Sequence, residues 1–473
     1  MRSSRWLPPV AAVLSGLAFL LTADSLTDDA YITLDYAKNL AVHGEWALIP
    51  GHTANTATSP LNVGLIGFFT LLTRVSGSAH TIIALGVVNV LAGAVLGWGW
   101  ARLRLPVAAI LLVLANPLVL SAVGLEVLLI PAVLILLVVF ADEGRPVAFG
   151  VAAGLTLLTR LDLIVFLPLI GIALGARLAR ALGPMLLVAL PWYAFSWFAF
   201  GSAVPDTLVI KQLQRSFGGA GYFATGFDQM WGTDLKTVLT FLPAELGTIA
   251  LVAWLVSGRF GPFGGLGAGG LAYYAMYSLL GVPPYHWYYV PPVVALTIAG
   301  TGIVSETLSP QRVAGGVRKS PRWAVFAFAL VPLLVAGYLP AFTGRGVPWT
   351  SPPFFGNWAS ATDYARVGRE LRARIDGAPV GAPGEIGTIA YFCDCAIIDG
   401  FSDRGLLGPE IDKRIAEAGP VMRPLLKVDY ARFDRSRPPV RLAYQLRYGP
   451  GPGEWTVYSA AKGVGHFTLE TVS

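Results

Sequence analysis

Between Trp6 and Leu339 the chain returns again and again to long apolar runs separated by short polar breaks, and no motif constrains its fold as tightly. A helix needs about 20 mostly apolar residues to cross a hydrocarbon layer roughly 30 Å thick, and most of these runs approach that length. Composition agrees. The chain is 55% hydrophobic and 13% charged, where an ordinary soluble domain carries roughly 25% charged residues. The net charge of +6 comes from basic residues scattered through loops and tail. They form no stripe, which argues against a nucleic-acid partner and for a membrane-topology signal.

Eleven spanning segments are expected: Trp6 to Leu21, His80 to Ala101, Leu105 to Leu120, Leu125 to Ala141, Val147 to Leu158, Leu163 to Ala176, Leu182 to Phe200, Lys236 to Val256, Phe263 to Leu280, Tyr288 to Val304, and Trp323 to Leu339. Arg2 and Arg5 precede the first run as in a signal peptide, but no small-x-small cleavage site follows, so it reads as an uncleaved helix. With the amino terminus cytoplasmic, Arg102, Arg104, Arg145, Arg177, Arg180, Arg259, Arg312, Arg318, Lys319 and Arg322 fall inside. Fewer, namely Lys38, Arg74, Arg160, Lys211 and Arg215, fall outside, as the positive-inside rule requires. Reading Val147 to Ala176 as one tilted helix would invert that bias, so a helical pair turning at Arg160 is preferred. Leu61 to Arg74 is too short to cross and is placed along the outer surface. The expected fold is an all-α polytopic membrane protein. Its bundle covers residues 1–341, with outer loops at 24–78 and 201–235, and a small extracytoplasmic α/β domain covers 342–473. In that tail, Ala361 to Ile375 reads as a helix, and Thr388 to Cys393 and Val440 to Leu446 read as strands.

The polar residues collect on the outer loops, where function concentrates. Asp28 and Asp29 open a short helix beyond the first span. One carboxylate suffices as a cap, and the second is more than capping asks. Glu126 is a lone acid at the end of a span, where exposure to lipid would cost a few kcal/mol, so a cavity or an arginine partner is expected. Arg160 and Asp162 either pair locally or present an oriented guanidinium to phosphate. Lys211 follows Pro205-Asp206-Thr207 and either holds a lipid phosphate or snorkels. The turn Pro283-Pro284-Tyr285-His286-Trp287-Tyr288-Tyr289 reads as an interfacial aromatic belt, with His286 able to hydrogen-bond phosphate or sugar. Cys393 and Cys395 stand one residue apart, a spacing that would strain a bridge, and no zinc-like cluster surrounds them.

Together these features resemble the GT-C superfamily of polyprenyl-phosphate-sugar glycosyltransferases, in particular bacterial arabinofuranosyl- and mannosyltransferases. The resemblance rests on Asp28-Asp29-Ala30-Tyr31-Ile32, Thr58-Ser59-Pro60-Leu61, Gly124-Leu125-Glu126, Arg160-x-Asp162, Pro205-Asp206-Thr207 with Lys211, His286-Trp287-Tyr288-Tyr289 and Gly384-Glu385-Ile386-Gly387. It implies a bacterial plasma-membrane enzyme with an outward cavity and a lipid-linked donor. It also implies a cell-envelope glycan or glycolipid acceptor, Asp28 as the base, and Asp29 or Glu126 as the group that orients acceptor or sugar. Arg160, Lys211 and His286 would face the donor phosphate with Asp162 behind the arginine. Tyr31, Ser59, Tyr285 and Glu385 would contact substrate. Asp28, Asp29 and Glu126 could offer oxygen ligands to a divalent metal, but phosphate neutralisation by Arg160 and Lys211 makes one unnecessary, and no cofactor is expected. A transporter or flippase, the main alternative, would show helical repeats and buried mid-helix charges, and neither is evident. A non-catalytic membrane scaffold is the third class.

Overall fold

The computed structural model describes residues 3–74, 78–213, 222–308, 312–313, 316–317 and 330–472. Arg2, Arg215, Arg318, Lys319, Arg322 and the first part of the expected last span lie outside them, and the chain is helical over Val331–Gly337 and Leu339–Phe342. Helix α1 (Leu7–Thr22) enters the bundle and α2 (Asp28–His43) follows after one short turn. The short α3 (Pro60–Leu72) has 13 residues, too few to cross, and packs on α2 through Gly67. Helix α4 (Thr81–Arg102) returns beside α1. The two approach so closely that a Cβ at Gly93 would meet Ser15 Oγ at 2.1 Å and one at Gly97 the Leu7 carbonyl at 2.8 Å. Small residues at such crossings replace the hydrophobic drive that lipid removes.

The ambiguous stretch resolves into a helical pair. Helix α5 (Leu129–Asp142) leads to α6 (Pro146–Thr159), which ends where Arg160 becomes extended. The chain then descends through residues 161–174, breaks at Gly175 with φ 56° and ψ −136°, and rises again as α7 (Ala179–Phe200). Arg177 Nη1 donates to the Gly144 carbonyl at 3.3 Å, and Tyr193 Oη donates to the Leu157 carbonyl at 2.8 Å. Residues 160 and 177 therefore sit at opposite ends of the bundle, as a helical pair demands. Arg102 and Arg145 share Glu143 near Arg177, so cations gather at the end remote from Asp28. The rest of the bundle includes the short helical turns Val107–Ile110, Leu111–Leu114 and Pro117–Ser121, and α8 (Thr207–Leu213), α9 (Phe223–Trp231), α10 (Leu235–Val256), α11 (Pro262–Leu280) and α12 (Val290–Leu308). Among the described residues, five helical stretches are long and apolar enough to cross a membrane, and one of them is the broken run Leu161–Phe200. The expected span Leu105 to Leu120 is among the shorter ones, because the chain breaks at Asn116 before Pro117.

The tail is a mixed five-stranded sheet with helices on it. Strands β1 (Val380–Gly381) and β2 (Ile397–Ile398) run parallel, as do β1 and β3 (Tyr444–Gly449); β4 (Trp455–Ser459) and β5 (Gly463–Thr471) complete the antiparallel part in the order β2-β1-β3-β5-β4. Helix α13 (Ala361–Ile375) forms as its Ser360 cap and apolar stripe predict. Residues 388–393, expected as a strand, instead belong to α14 (Gly387–Cys393). The reason is tertiary, because a carboxylate from α2 satisfies the amides that open this helix. The strand expected at Val440 starts at Tyr444, because Pro438 and Pro439 lead the chain in and the Val440 amide is taken by Asp403. Cys393 and Cys395 do form a disulfide. Asp394 between them takes the left-handed φ of 52° that folds the chain back and pairs with Lys38 of α2 at 3.0 Å. Helices α15 (Arg404–Glu417) and α16 (Met422–Asp429) close the domain. One hydrophobic core runs continuously from the bundle into this sheet.

Gly93→Leu forces the α1–α4 crossing apart, and overpacking of this kind costs roughly 1–3 kcal/mol. Thermal unfolding in detergent is expected to drop for this variant and to stay level for Gly183→Ala, which meets nothing within 4 Å.

Candidate active site

Thr27 stands at the cap position of α2, yet its hydroxyl donates outward to Asn357 Oδ1 at 2.9 Å, and the same oxygen accepts the Asp28 amide at 3.3 Å. The Asp28 side chain does not cap α2 either. Its carboxylate accepts the amides of Ile386 (3.0 Å), Gly387 (3.0 Å) and Thr388 (2.7 Å), the open end of α14. A helix amino terminus offers unpaired donors and a partial positive charge, so a carboxylate there is well matched. Gly387 is required for the approach, since a Cβ would lie 2.1 Å from the Asp28 carbonyl oxygen. Burial raises the Asp28 pKa, the Thr388 and Gly387 amides pull it back, and neighbouring Asp29 adds to the rise; the net shift is upward.

Asp29, one residue on, is left 31% exposed and faces Lys211 Nζ at 3.7 Å. Lys211 sits on α8, which is tied down where the Asp206 amide donates to the Asn55 carbonyl at 2.7 Å and Ser202 Oγ to the Asp206 carboxylate at 2.8 Å. Burial pushes that carboxyl up to about 7. The Lys211 ammonium lies over the rings of Tyr285 (4.0 Å), Trp287 (5.4 Å) and Tyr288 (5.6 Å). Burial opposes its charge, but Tyr288, Tyr285 and Asp29 outweigh that, and its pKa lies above the usual range. The aromatic turn is therefore no interfacial belt. Trp287, Tyr288 and Tyr289 are buried, because the first two are spent with Tyr285 around a cation and Tyr289 stacks on Phe223 at 4.1 Å.

Arg160 is enclosed by acids. Nη1 donates to Glu126 at 2.6 Å, Nε and Nη2 to Asp162 at 3.0 and 2.5 Å, and Nη2 also to Tyr277 Oη at 3.1 Å. Tyr273 and Tyr277 hydroxyls in turn donate to Asp162. The guanidinium fork is filled from within the protein and its charge is balanced by two carboxylates, so the local ion pair and the arginine partner for Glu126 are both real. His286 Nε2 lies 3.2 Å from the Ser121 carbonyl. A carbonyl accepts, so the neutral ring carries its proton on Nε2 and keeps Nδ1 as an acceptor. Glu385 accepts the Trp358 amide at 3.0 Å and the Tyr364 hydroxyl. Burial first, then Asp28, push its carboxyl up to about 8.

These side chains line one cavity of about 260 Å³, among them Asp28, Asp29, Glu126, Arg160, Lys211, Tyr285, His286 and Glu385. Three expected site residues do not line it. Asp162 stands behind Arg160, Ser59 caps α3 by accepting the Asn62 amide at 3.3 Å, and Tyr31 packs between Tyr391 and Phe392 at 5.3 and 5.6 Å. Each is spent on holding a neighbour in place. Asn357 and Trp231 line the cavity without any signal in the sequence; both come from segments whose approach depends on tail docking or on α9. Among the described residues no three His, Cys, Asp or Glu side chains gather as metal ligands; Asp28 is committed to amides and Glu126 to Arg160.

No protein-family model and no curated protein matches the sequence. In architecture the chain is similar to ArnT from Cupriavidus metallidurans, solved in the apo state, with a TM-score of 0.52 at 13% identity over 95% of this chain and 93% of that one. At that identity the likeness is one of fold.

Two outcomes are expected. Asp28→Ala strands three buried amides, and exchange of the 386–388 amide hydrogens should accelerate roughly 10- to 100-fold, matching the 1.5–3 kcal/mol of a hydrogen bond to a charged group. Glu385 holds its proton to about 8 when folded, against 4.5 as its ordinary value. Below about 4.5 both states carry the proton and its contribution is full; between there and 8 the unfolded chain ionises first and stability falls as pH rises. Thermal unfolding followed across that window should show Glu385→Gln a few degrees less pH-sensitive than the parent.

Proposed function

We propose that this chain is a membrane glycosyltransferase that moves a sugar from a polyprenyl-phosphate carrier to a hydroxyl acceptor with inversion at the anomeric carbon. The observation that carries the reading is Asp29 paired with Lys211 at 3.7 Å in the lining of the cavity. Transfer needs a base for the acceptor hydroxyl and a cation for the departing phosphate, and this pair supplies both within one substrate's reach. Asp29 is the better base because the Asp28 carboxylate is already occupied by three amides. Asp29 takes the hydroxyl proton and the freed oxygen bonds to the anomeric carbon. The bond from that carbon to the phosphate oxygen breaks, and its electron pair leaves on the phosphate beside the Lys211 ammonium. Arg160 acts at one remove by aiming Glu126 into the cavity, where it can accept from a sugar or acceptor hydroxyl. His286 Nδ1 and the protonated Glu385 offer an acceptor and a donor for further hydroxyls.

The ArnT-like fold supports the GT-C reading that the motifs suggest. Location supports it over transport, since the acid and the cation sit at one end of the bundle, whereas transporters bind near the midplane. Arabinofuranose or mannose is the proposed sugar, on the strength of the motif resemblance. A cell-envelope glycan or glycolipid is the proposed acceptor, reached on the outer face of a bacterial plasma membrane with the amino terminus in the cytoplasm.

In nanodiscs with labelled polyprenyl-phosphate sugars, Asp29→Asn is expected to lower turnover roughly 100- to 10,000-fold, the range of general-base catalysis, with donor binding retained. Lys211→Met should instead weaken donor binding as well as turnover. Full activity in Asp29→Asn would refute the assignment.

A further inference from the structure

The tail carries an apolar stripe that its own fold does not cover. On α16 (Met422–Asp429) and the residue before it, Val421, Met422, Leu425 and Val428 are 72%, 39%, 59% and 66% exposed, while Leu426 alone is buried against α15. The spacing places the four on one face, as in helices that lie in a membrane surface. Their position in the fold says what they meet. α16 packs against the last turns of α7, where Trp197 Nε1 donates to the Val428 carbonyl at 3.0 Å. α7 belongs to a stretch apolar enough to cross a membrane, and its Leu187, Leu190 and Phe198 are 78%, 54% and 61% exposed. The stripe thus continues a face already directed at lipid, at the level where that helix leaves the hydrocarbon. Exposed Arg423 and Lys427 occupy the other side of the helix, and Arg432 lies over Phe198 at 4.8 Å, which suits anionic headgroups. An apolar groove of about 650 Å³ lies between the two helices.

We propose that α16 is a membrane-interface anchor: its stripe lies at the headgroup and acyl boundary, and phospholipid chains fill the groove between α16 and α7. A lipid chain is the occupant because the groove opens onto the exposed apolar face of α7, and its one charged liner, Asp429, is already engaged by the Ala203 and Val204 amides. The anchor is mechanically joined to the cavity. Asp429, the last residue of α16, accepts the amides of Ala203 and Val204 at 2.9 and 3.1 Å, in the segment that leads into α8.

The test uses the full chain in phosphatidylethanolamine–phosphatidylglycerol nanodiscs free of polyprenyl lipid. Both natural cysteines are in the disulfide, so Leu425→Cys, and separately Val421→Cys, takes a single bimane label. Emission is expected to fall in bilayers with brominated acyl chains relative to unbrominated ones, and to resist aqueous iodide. Quenching by iodide without quenching by bromolipid would overturn the proposal, because the stripe would then face water. Protection from both quenchers would overturn it too, because protein, such as a second copy, would cover the stripe. Neither readout depends on catalysis, so failure of the proposed reaction leaves it intact.

Discussion

A single carboxylate set on a distant helix end organises this molecule. Asp28 leaves the first membrane helix and receives the three amides that open α14, a helix about 360 residues further along the chain. Each partner answers a deficit in the other: a helix start has donors with no acceptor, and a buried carboxylate needs donors to hold its charge. With Asp394 and Lys38 pairing at the other end of α14, the tail is held along the length of α2. That docking brings Glu385, Ile386 and Asn357 to the cavity as a wall over the bundle.

The same economy separates the charges inside. Two cations enter the cavity lining, but Arg160 is balanced by Glu126 and Asp162, with tyrosines closing the network. Breaking such a buried set by removing one member is far costlier than its net worth, which suits a positioning role. Lys211 is held differently, by ring faces and one partly exposed acid. Rings stabilise a cation without neutralising it, so its charge stays available to an incoming anion. Of the adjacent aspartates, one is thus committed to architecture and its neighbour is left open to the cavity.

Much of the fold and some of the site could be read from the chain itself. Helices in apolar stretches are dictated by composition, because lipid leaves backbone groups no other partner. The turn at Arg160 followed from charge bias alone, and Ala361 to Ile375 read as the helix it is. The charged residues that line the cavity, Asp399 excepted, were visible as polar exceptions among the apolar runs and in the tail. Their partners were not. Thr388 to Cys393 reads as a strand until Asp28 supplies a cap from elsewhere, and Tyr285, Trp287 and Tyr288 read as a belt until Lys211 is placed among them. Asn357 and Trp231 bear no local mark of their place in the cavity.

That the chain is built largely of apolar helices, and that its acids gather at one end of them, was legible in the sequence alone, because the transfer of apolar and charged groups between water and lipid is set residue by residue. The division of labour among those acids was decided only by tertiary structure. Whether a carboxylate holds a helix, an arginine or an open space depends on groups hundreds of positions away, and their approach is set by packing that no local pattern encodes.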